Sequence, residues 1–378
     1  MKIILVGTAY PHRGGIAHFN ALLYKNLTQR GHQVKIVSFR RQYPGLLFPG
    51  KTQFDTSAAA RPVAAEPLID SINPVTWYQT AQKIREHAPD GVVFQHWQPF
   101  FAPCYGAIAK QVKGSKGART LAICHNMIPH ENKIIDAALS RFFIRQVDRF
   151  IVLSQAVADD LLRFKRDAIY QIVAHPVYEI FADTSLSKAE AKERLGLPDR
   201  PVVLFFGYIR AYKGLHILLE AFARIIEQSP AILVVAGEFY QDRADYESQI
   251  KKLGLQDRVI LRDEYIPNEQ VACYFTAADV VALPYLSATQ SGIVQICYHY
   301  NKPVIATDVG GLPEIVRDGE TGFVVSHNDA IALAAALQRF YQENREASFS
   351  ANIGKIKHHY SWDRMGEAIE QLCSGHQA

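Results

Sequence analysis

Residues 201–219 read PVVLFFGYIRAYKGLHILL. An unbroken apolar run ends at Gly207, and an apolar helical repeat begins after Gly214. A run of that length, closed by glycine, reads as a strand buried on both faces, the kind found in parallel sheets. Arg210 and Lys213 fall in the loop between strand and helix. Ligands of open α/β sheets bind beyond the carboxyl ends of the strands. Two cations placed there can clamp a diphosphate. Taken alone, they read equally well as solvated loop charges.

The same β–α alternation extends in both directions. Downstream come AILVVAG, RVILRD, VVALPY and PVIATD; upstream come KIILVG, QVKIVSF, GVVFQH, ARTLAICH and RFIVLS, with helical stretches between them. The alternation breaks over residues 175–200, which carry turn residues and charges but no strand pattern. This organisation predicts an α/β chain of two Rossmann-like, doubly wound parallel-sheet domains, residues 1–175 and 176–361. A final helix, residues 362–378, follows Ser361 as its N-cap and is expected to return to the first domain. At 378 residues the chain suits two domains.

Composition narrows the function classes. Hydrophobic residues make up 48% and charged residues 21%, with a formal net charge of +4. That mild excess permits contact with phosphates or an anionic membrane surface and does not call for nucleic acid. Five scattered cysteines form no CxxC pair, so neither a zinc site nor a disulfide framework is indicated. The apolar run at the N-terminus stops at Gly7, too short for a signal peptide or a spanning helix. A reduced cytoplasmic setting is expected.

Three further stretches carry chemistry. Arg13-Gly14-Gly15 follows the first strand and opens a helix, which suits a phosphate, or else is a tight turn. Neither GxGxxG nor GxxxxGK[ST] occurs, so dinucleotide and P-loop readings lose support. ICHNMIPHE puts His125 at a strand end as a candidate hydrogen-bond donor to a sugar hydroxyl. His130 and Glu131 are adjacent in that loop, which is poor metal-ligand geometry, so no metal is expected. Gly310-Gly311 again separates a strand from a helix, entered through Pro313 and Glu314, and favours an anion.

GYIRAYKGLHILLEAFA, PVIATDVGGLPEIVRDGETGFVV and the terminal YSWDRM resemble glycosyltransferase family 4, the large retaining group with the GT-B fold. The resemblance covers nearly the whole chain and is strongest from Val202 to Val325. It implies two Rossmann-like domains facing across a cleft. It implies transfer of a sugar from a nucleotide-diphosphate sugar, with no metal and no other cofactor. Gly14 and Gly15 would meet the diphosphate, and Lys213, six residues after Gly207, matches the family's phosphate-clamping lysine. The arginine that usually follows the glycine is Tyr208 here, leaving Arg210 to serve in its place. His125 matches a histidine that contacts the donor sugar, and DEYIPNEQV, with Tyr265, occupies the segment that meets the nucleobase.

The departure from the family lies in TQSGIVQIC, residues 289–297. Two glutamates eight positions apart are expected there. Anchoring on Gly292 puts Thr289 and Cys297 at those positions; anchoring on Pro303 puts Ala288 and Ile296 there. Thr289, Gln290, Ser291 and Gly292 are then the candidates for holding the sugar by neutral hydrogen bonds. A GT-B-shaped binding protein that has lost catalysis is the competing reading. A phosphorylase of the same fold would need a pyridoxal phosphate lysine that nothing marks. The acceptor expected by resemblance is a glycan or a lipid-linked glycan of polysaccharide biosynthesis. SFRRQYPGLLFPGK and LSRFFIRQVDRF mix basic and aromatic residues, which suits peripheral contact with the inner face of the plasma membrane or, equally, a half-buried helix.

Overall fold

A computed structural model of the protein describes all residues except 46–51, 56, 58–62, 114–117, 128–133, 179–184, 241 and 375–378. The chain forms two compact units. One runs from the N-terminus to Pro176 and takes back the chain from Tyr360 onward; the other runs from Val177 to His359 with the stretch around Ser57. The division falls one residue beyond the expected domain boundary after residue 175, and the return to the first unit begins at Tyr360, two residues before the expected start at 362.

In the first unit the elements are β1 (Lys2–Val6), α1 (Gly15–Gln29), β2 (Gln33–Arg41), β3 (Ala65–Asp70), α2 (Pro74–Glu86), β4 (Gly91–His96), α3 (Ala102–Lys113), β5 (Arg119–Cys124), α4 (Ile134–Ile144), β6 (Arg149–Val152), α5 (Gln155–Phe164) and β7 (Ile169–Ile172). In the second they are α6 (Lys188–Arg194), β8 (Val202–Phe206), α7 (Leu215–Ala223), β9 (Ile232–Ala236), α8 (Arg243–Lys252), β10 (Val259–Arg262), α9 (Asn268–Ala277), β11 (Val280–Leu283), α10 (Gly292–His299), β12 (Val304–Thr307), α11 (Leu312–Ile315), β13 (Gly322–Val325), α12 (Ala330–Gln342) and α13 (Arg345–Ile356). The last helix, α14 (Trp362–Ser374), belongs to the first unit.

The first sheet has the order β3-β2-β1-β4-β5-β6-β7 and the second the order β10-β9-β8-β11-β12-β13, every pairing parallel. Counted within each unit, the second order is the doubly wound 3-2-1-4-5-6, and the first is the same order with a seventh strand added at its edge. The strand order reverses between β1 and β4 and again between β8 and β11. A crevice at such a switch point is where an open sheet holds its ligand. The central strands carry the core: Val202 to Phe206 and Ile232 to Ala236 are buried throughout. Each fully buried large apolar side chain of this kind contributes about 1.5–3 kcal/mol.

α14 returns to the first unit as expected and lies along α1. Arg30 grips Glu370 with two hydrogen bonds of 2.8 Å, His32 lies 2.7 Å from the same carboxylate, and Asn26 donates to Asp363 at 2.9 Å. Among the described residues no helix is long and apolar enough to cross a membrane.

Candidate functional site

In the second unit the site is built where β8 and β11 part. β8 ends at Phe206, and Lys213 closes a short 3-10 turn, Ala211–Lys213. Gly214 then starts α7 from the left-handed region, φ 70°, where an added Cβ would lie 2.0 Å from the Pro284 carbonyl oxygen. No side chain fits there, so β8's loop lies directly against β11's. Lys213 is carried inward: it is 8% exposed, and its Nζ lies 5.7 Å from the Tyr285 ring centroid. A Cβ on Gly207 would come within 3.0 Å of that Nζ. Lys213 Nζ has neither a hydrogen bond nor an acidic partner among the described residues. Burial, aided by the nearby Arg210 charge, lowers its pKa from 10.5 to about 7. The Arg210 guanidinium lies 4.7 Å over the Tyr240 ring, against which Tyr208 also packs at 4.9 Å.

The loop after β11 completes this corner. Ser291 caps α10, accepting from the Ile293 N–H at 3.3 Å. The Ile293 side chain reaches 3.4 Å from the Cβ position of Gly207, so the first turn of α10 stands beside the Lys213 loop. Gly311 N–H donates to the Thr289 carbonyl at 3.0 Å. Gly310 has φ 53°, and a Cβ there would lie 1.7 Å from the Ala288 carbonyl oxygen. The two glycines therefore seat the β12 loop directly on residues 288–289. Gln290 Oε1 and both amide atoms of Gln295 are buried without a hydrogen-bond partner among the described residues. Cys297 is fully buried, and burial raises its thiol pKa well above the ordinary value, so it is no substitute for a carboxylate.

Gly292 has a different surrounding from the expected one. A Cβ there meets the Tyr178 ring at 3.2 Å. The glycine makes room for this tyrosine, and a bulkier residue would report on that contact rather than on a sugar. Tyr265 sits half-buried between β10 and α9.

In the first unit, Gly14 adopts φ 111° as the N-cap of α1, and the exposed Gly15 is the first helical residue. Asn20, on the next turn, is fully buried. His125 directly follows β5, is 3% exposed, and presents its ring to Phe19 at 4.7 Å. Burial, with His175 and His96 adding to it, holds its pKa well below 6.5. His130 and Glu131 lie outside the described residues. Among the described residues no three His, Cys, Asp or Glu side chains gather as a metal would require. Reasoning from sequence passed over Tyr285, Tyr240, Tyr178 and Gln95. Only Gln95 carried a signal, a polar residue inside an apolar strand.

The chain matches two family profiles, Glycosyltransferase Family 4 over residues 13–175 and Glycosyl transferases group 1 over residues 200–343. The chain belongs to glycosyltransferase family 4. Its strand-end glycines, Lys213 and His125 lie within those matched segments. Among curated relatives of this family it is 32% identical over 193 residues to an alpha-D-kanosaminyltransferase of Streptomyces kanamyceticus, covering 50% of this chain and 49% of that one. It is 31% identical over 243 residues to a D-inositol 3-phosphate glycosyltransferase of Streptomyces scabiei, covering 61% and 54%. The chain thus spans about half the length of these relatives. Its GT-B fold is shared with Anabaena HepE, solved with UDP and with UDP-glucose, at TM-scores of 0.76 and 0.75, 18% identity and 99% coverage of this chain. The match spans 100% and 99% of the two HepE chains.

Proposed function

We propose that the protein is a retaining, metal-independent glycosyltransferase that moves a sugar from a nucleoside diphosphate sugar to a glycan or lipid-linked acceptor. The observation that carries this reading is Lys213. A buried ammonium with no acidic partner is costly, and an arriving diphosphate would supply the missing charge. As the bond between the anomeric carbon and the diphosphate oxygen breaks, negative charge builds on the leaving group. Lys213, with Arg210 beside it, stabilises that charge. The departing diphosphate takes the acceptor's hydroxyl proton, and the new bond forms on the face the leaving group vacates.

The missing glutamates then change the grip rather than the reaction. A charge-assisted hydrogen bond contributes about 1.5–3 kcal/mol and a neutral one about 0.5–1.5 kcal/mol. Ser291 caps α10, and the buried Gln290 Oε1, without a partner among the described residues, is the group proposed to meet a sugar hydroxyl. UDP-glucose, bound by HepE, is the first donor to try, and UDP, bound by the same protein, is the bare-nucleotide control. The basic stretch with Arg141 and Phe142 on α4 and Arg145 just beyond it, all exposed, suits a lipid-linked acceptor at an anionic membrane.

The test is diphosphate release from a panel of nucleotide sugars, with and without EDTA, followed by the anomeric configuration of the product. Release that persists in EDTA with the anomer retained is expected. Release restored only by magnesium or manganese contradicts metal independence, and an inverted anomer contradicts retention. The absence of carboxylates from residues 288–289 and 296–297 favours a second reading, a binding protein without catalysis. Nucleotide sugars that bind but never release diphosphate would establish it.

A further inference from the structure

A buried chain of hydrogen bonds in the first unit ends on His125, and its direction can be worked out. Asn20 Nδ2 donates to the Thr8 carbonyl at 2.8 Å. A carbonyl only accepts, so the Asn20 amide nitrogen is fixed on that side and its oxygen is turned the other way. Gln95 Nε2 donates to that oxygen at 2.9 Å, which turns Gln95 Oε1 toward His125. His125 Nε2 lies 2.7 Å from Oε1. An amide oxygen only accepts, so Nε2 carries the proton. A neutral imidazole carries one such proton, and Nδ1 is left bare.

Asn20 and Gln95 are both 0% exposed. The main chain is shaped around them: a Cβ on Gly7 would lie 2.8 Å from Asn20 Nδ2 and 2.9 Å from Gln95 Cβ. Asn20 satisfies the Thr8 carbonyl just past β1, whereas the Gln95 side chain joins that amide to the His125 ring and bonds no main-chain group among the described residues.

We propose that Asn20 and Gln95 are positioning residues that lock His125 in its Nε2–H tautomer, so that His125 accepts a hydrogen bond from a donor-sugar hydroxyl through Nδ1. This reverses the polarity expected from the sequence, where His125 stood as a donor to that hydroxyl. A ring free to change tautomer would offer an N–H to the same oxygen in part of its population. The inference rests on the placement of His125 at the sugar.

The experiment is a two-bond proton–nitrogen correlation on protein labelled in its histidine rings, with His125→Ala assigning the signal. The wild type is expected to show Nε2 protonated. Gln95→Met, similar in shape but without an acceptor, should give a mixture or the Nδ1–H form. Gln95→Glu keeps an acceptor facing the ring and should keep Nε2–H, which separates locking from packing. Calorimetry on the same proteins should show UDP-glucose weakened about 3–10-fold in Gln95→Met, as for one hydrogen bond. UDP should change less than about twofold. A wild-type Nδ1–H ring, or an unchanged tautomer in Gln95→Met, overturns the locking. A locked ring whose replacement by alanine leaves UDP-glucose binding unmoved overturns instead the placement of His125 at the sugar.

Discussion

The Lys213 ammonium sits by the Tyr285 ring, and burial lowers its pKa from 10.5 to about 7. Between those values the unfolded chain binds a proton that the folded one gives up, so this group lets stability rise with pH from about 7 to 10.5. Lys213→Met should therefore melt at a higher temperature than the wild type at pH 7, with the gain fading toward pH 10.5. A lower melting point for the variant at pH 7 would mean that the lysine is structural. A diphosphate reverses the balance, because an anion against the amine favours its charged form. UDP binding at pH 8 should take up close to one proton, read as a dependence of calorimetric enthalpy on buffer ionisation. Lys213→Met should show no such uptake.

Two elements carry predictions of their own. The β12 loop fits residues 288–289 only because Gly310, at φ 53°, has no Cβ. Gly310→Ala should cost at least about 1–3 kcal/mol of stability, from the strained backbone alone. It should also weaken nucleotide-sugar binding more than nucleotide binding; equal weakening would take the loop out of the sugar site. α14 is held to α1 through Glu370, whose carboxyl the Arg30 hydrogen bonds bring down to about 2 from 4.5. A carboxyl lowered in the folded state stabilises above its unfolded value and loses that contribution as pH falls from about 4.5 to 2. Glu370→Gln should cost about 1–3 kcal/mol at neutral pH, as for a charged hydrogen-bond pair. Its deficit against the wild type should shrink through that acid window. Both central strand series were legible because buried parallel strands read as plain apolar runs. β3 was not legible, since Pro67 argues against a strand, yet β3 is the sheet edge, where a missing N–H is tolerated. β7 lies at the other edge, with Ile169 and Ile172 exposed, and so lacks the pattern of a buried run. α6 hid in a charged stretch, although Ser187 and Glu190 form a capping box that Ser-x-x-Glu could have announced. In the site, Lys213 and the glycines were legible as strand-end punctuation. The Asn20–Gln95 chain and the Tyr178 contact were not, because they join residues far apart in sequence.

Across the whole molecule one Rossmann strand order is used twice, and each unit keeps its chemical residues at the carboxyl ends of its strands. In the second unit that end holds a buried cation, a helix start and the amides of Gln290 and Gln295, next to positions 288–289 and 296–297 where carboxylates were expected. In the proposed reaction the buried Lys213 cation is the diphosphate's partner. The direct measurement is the rate of diphosphate release from the preferred nucleotide sugar by Lys213→Met, alongside its melting temperature. Release slowed by about 10²–10³-fold is expected, the effect of losing one buried donor to transition-state charge, in a protein that melts no lower than the wild type. Release within a few-fold of the wild type, in an equally folded variant, would contradict that role for Lys213.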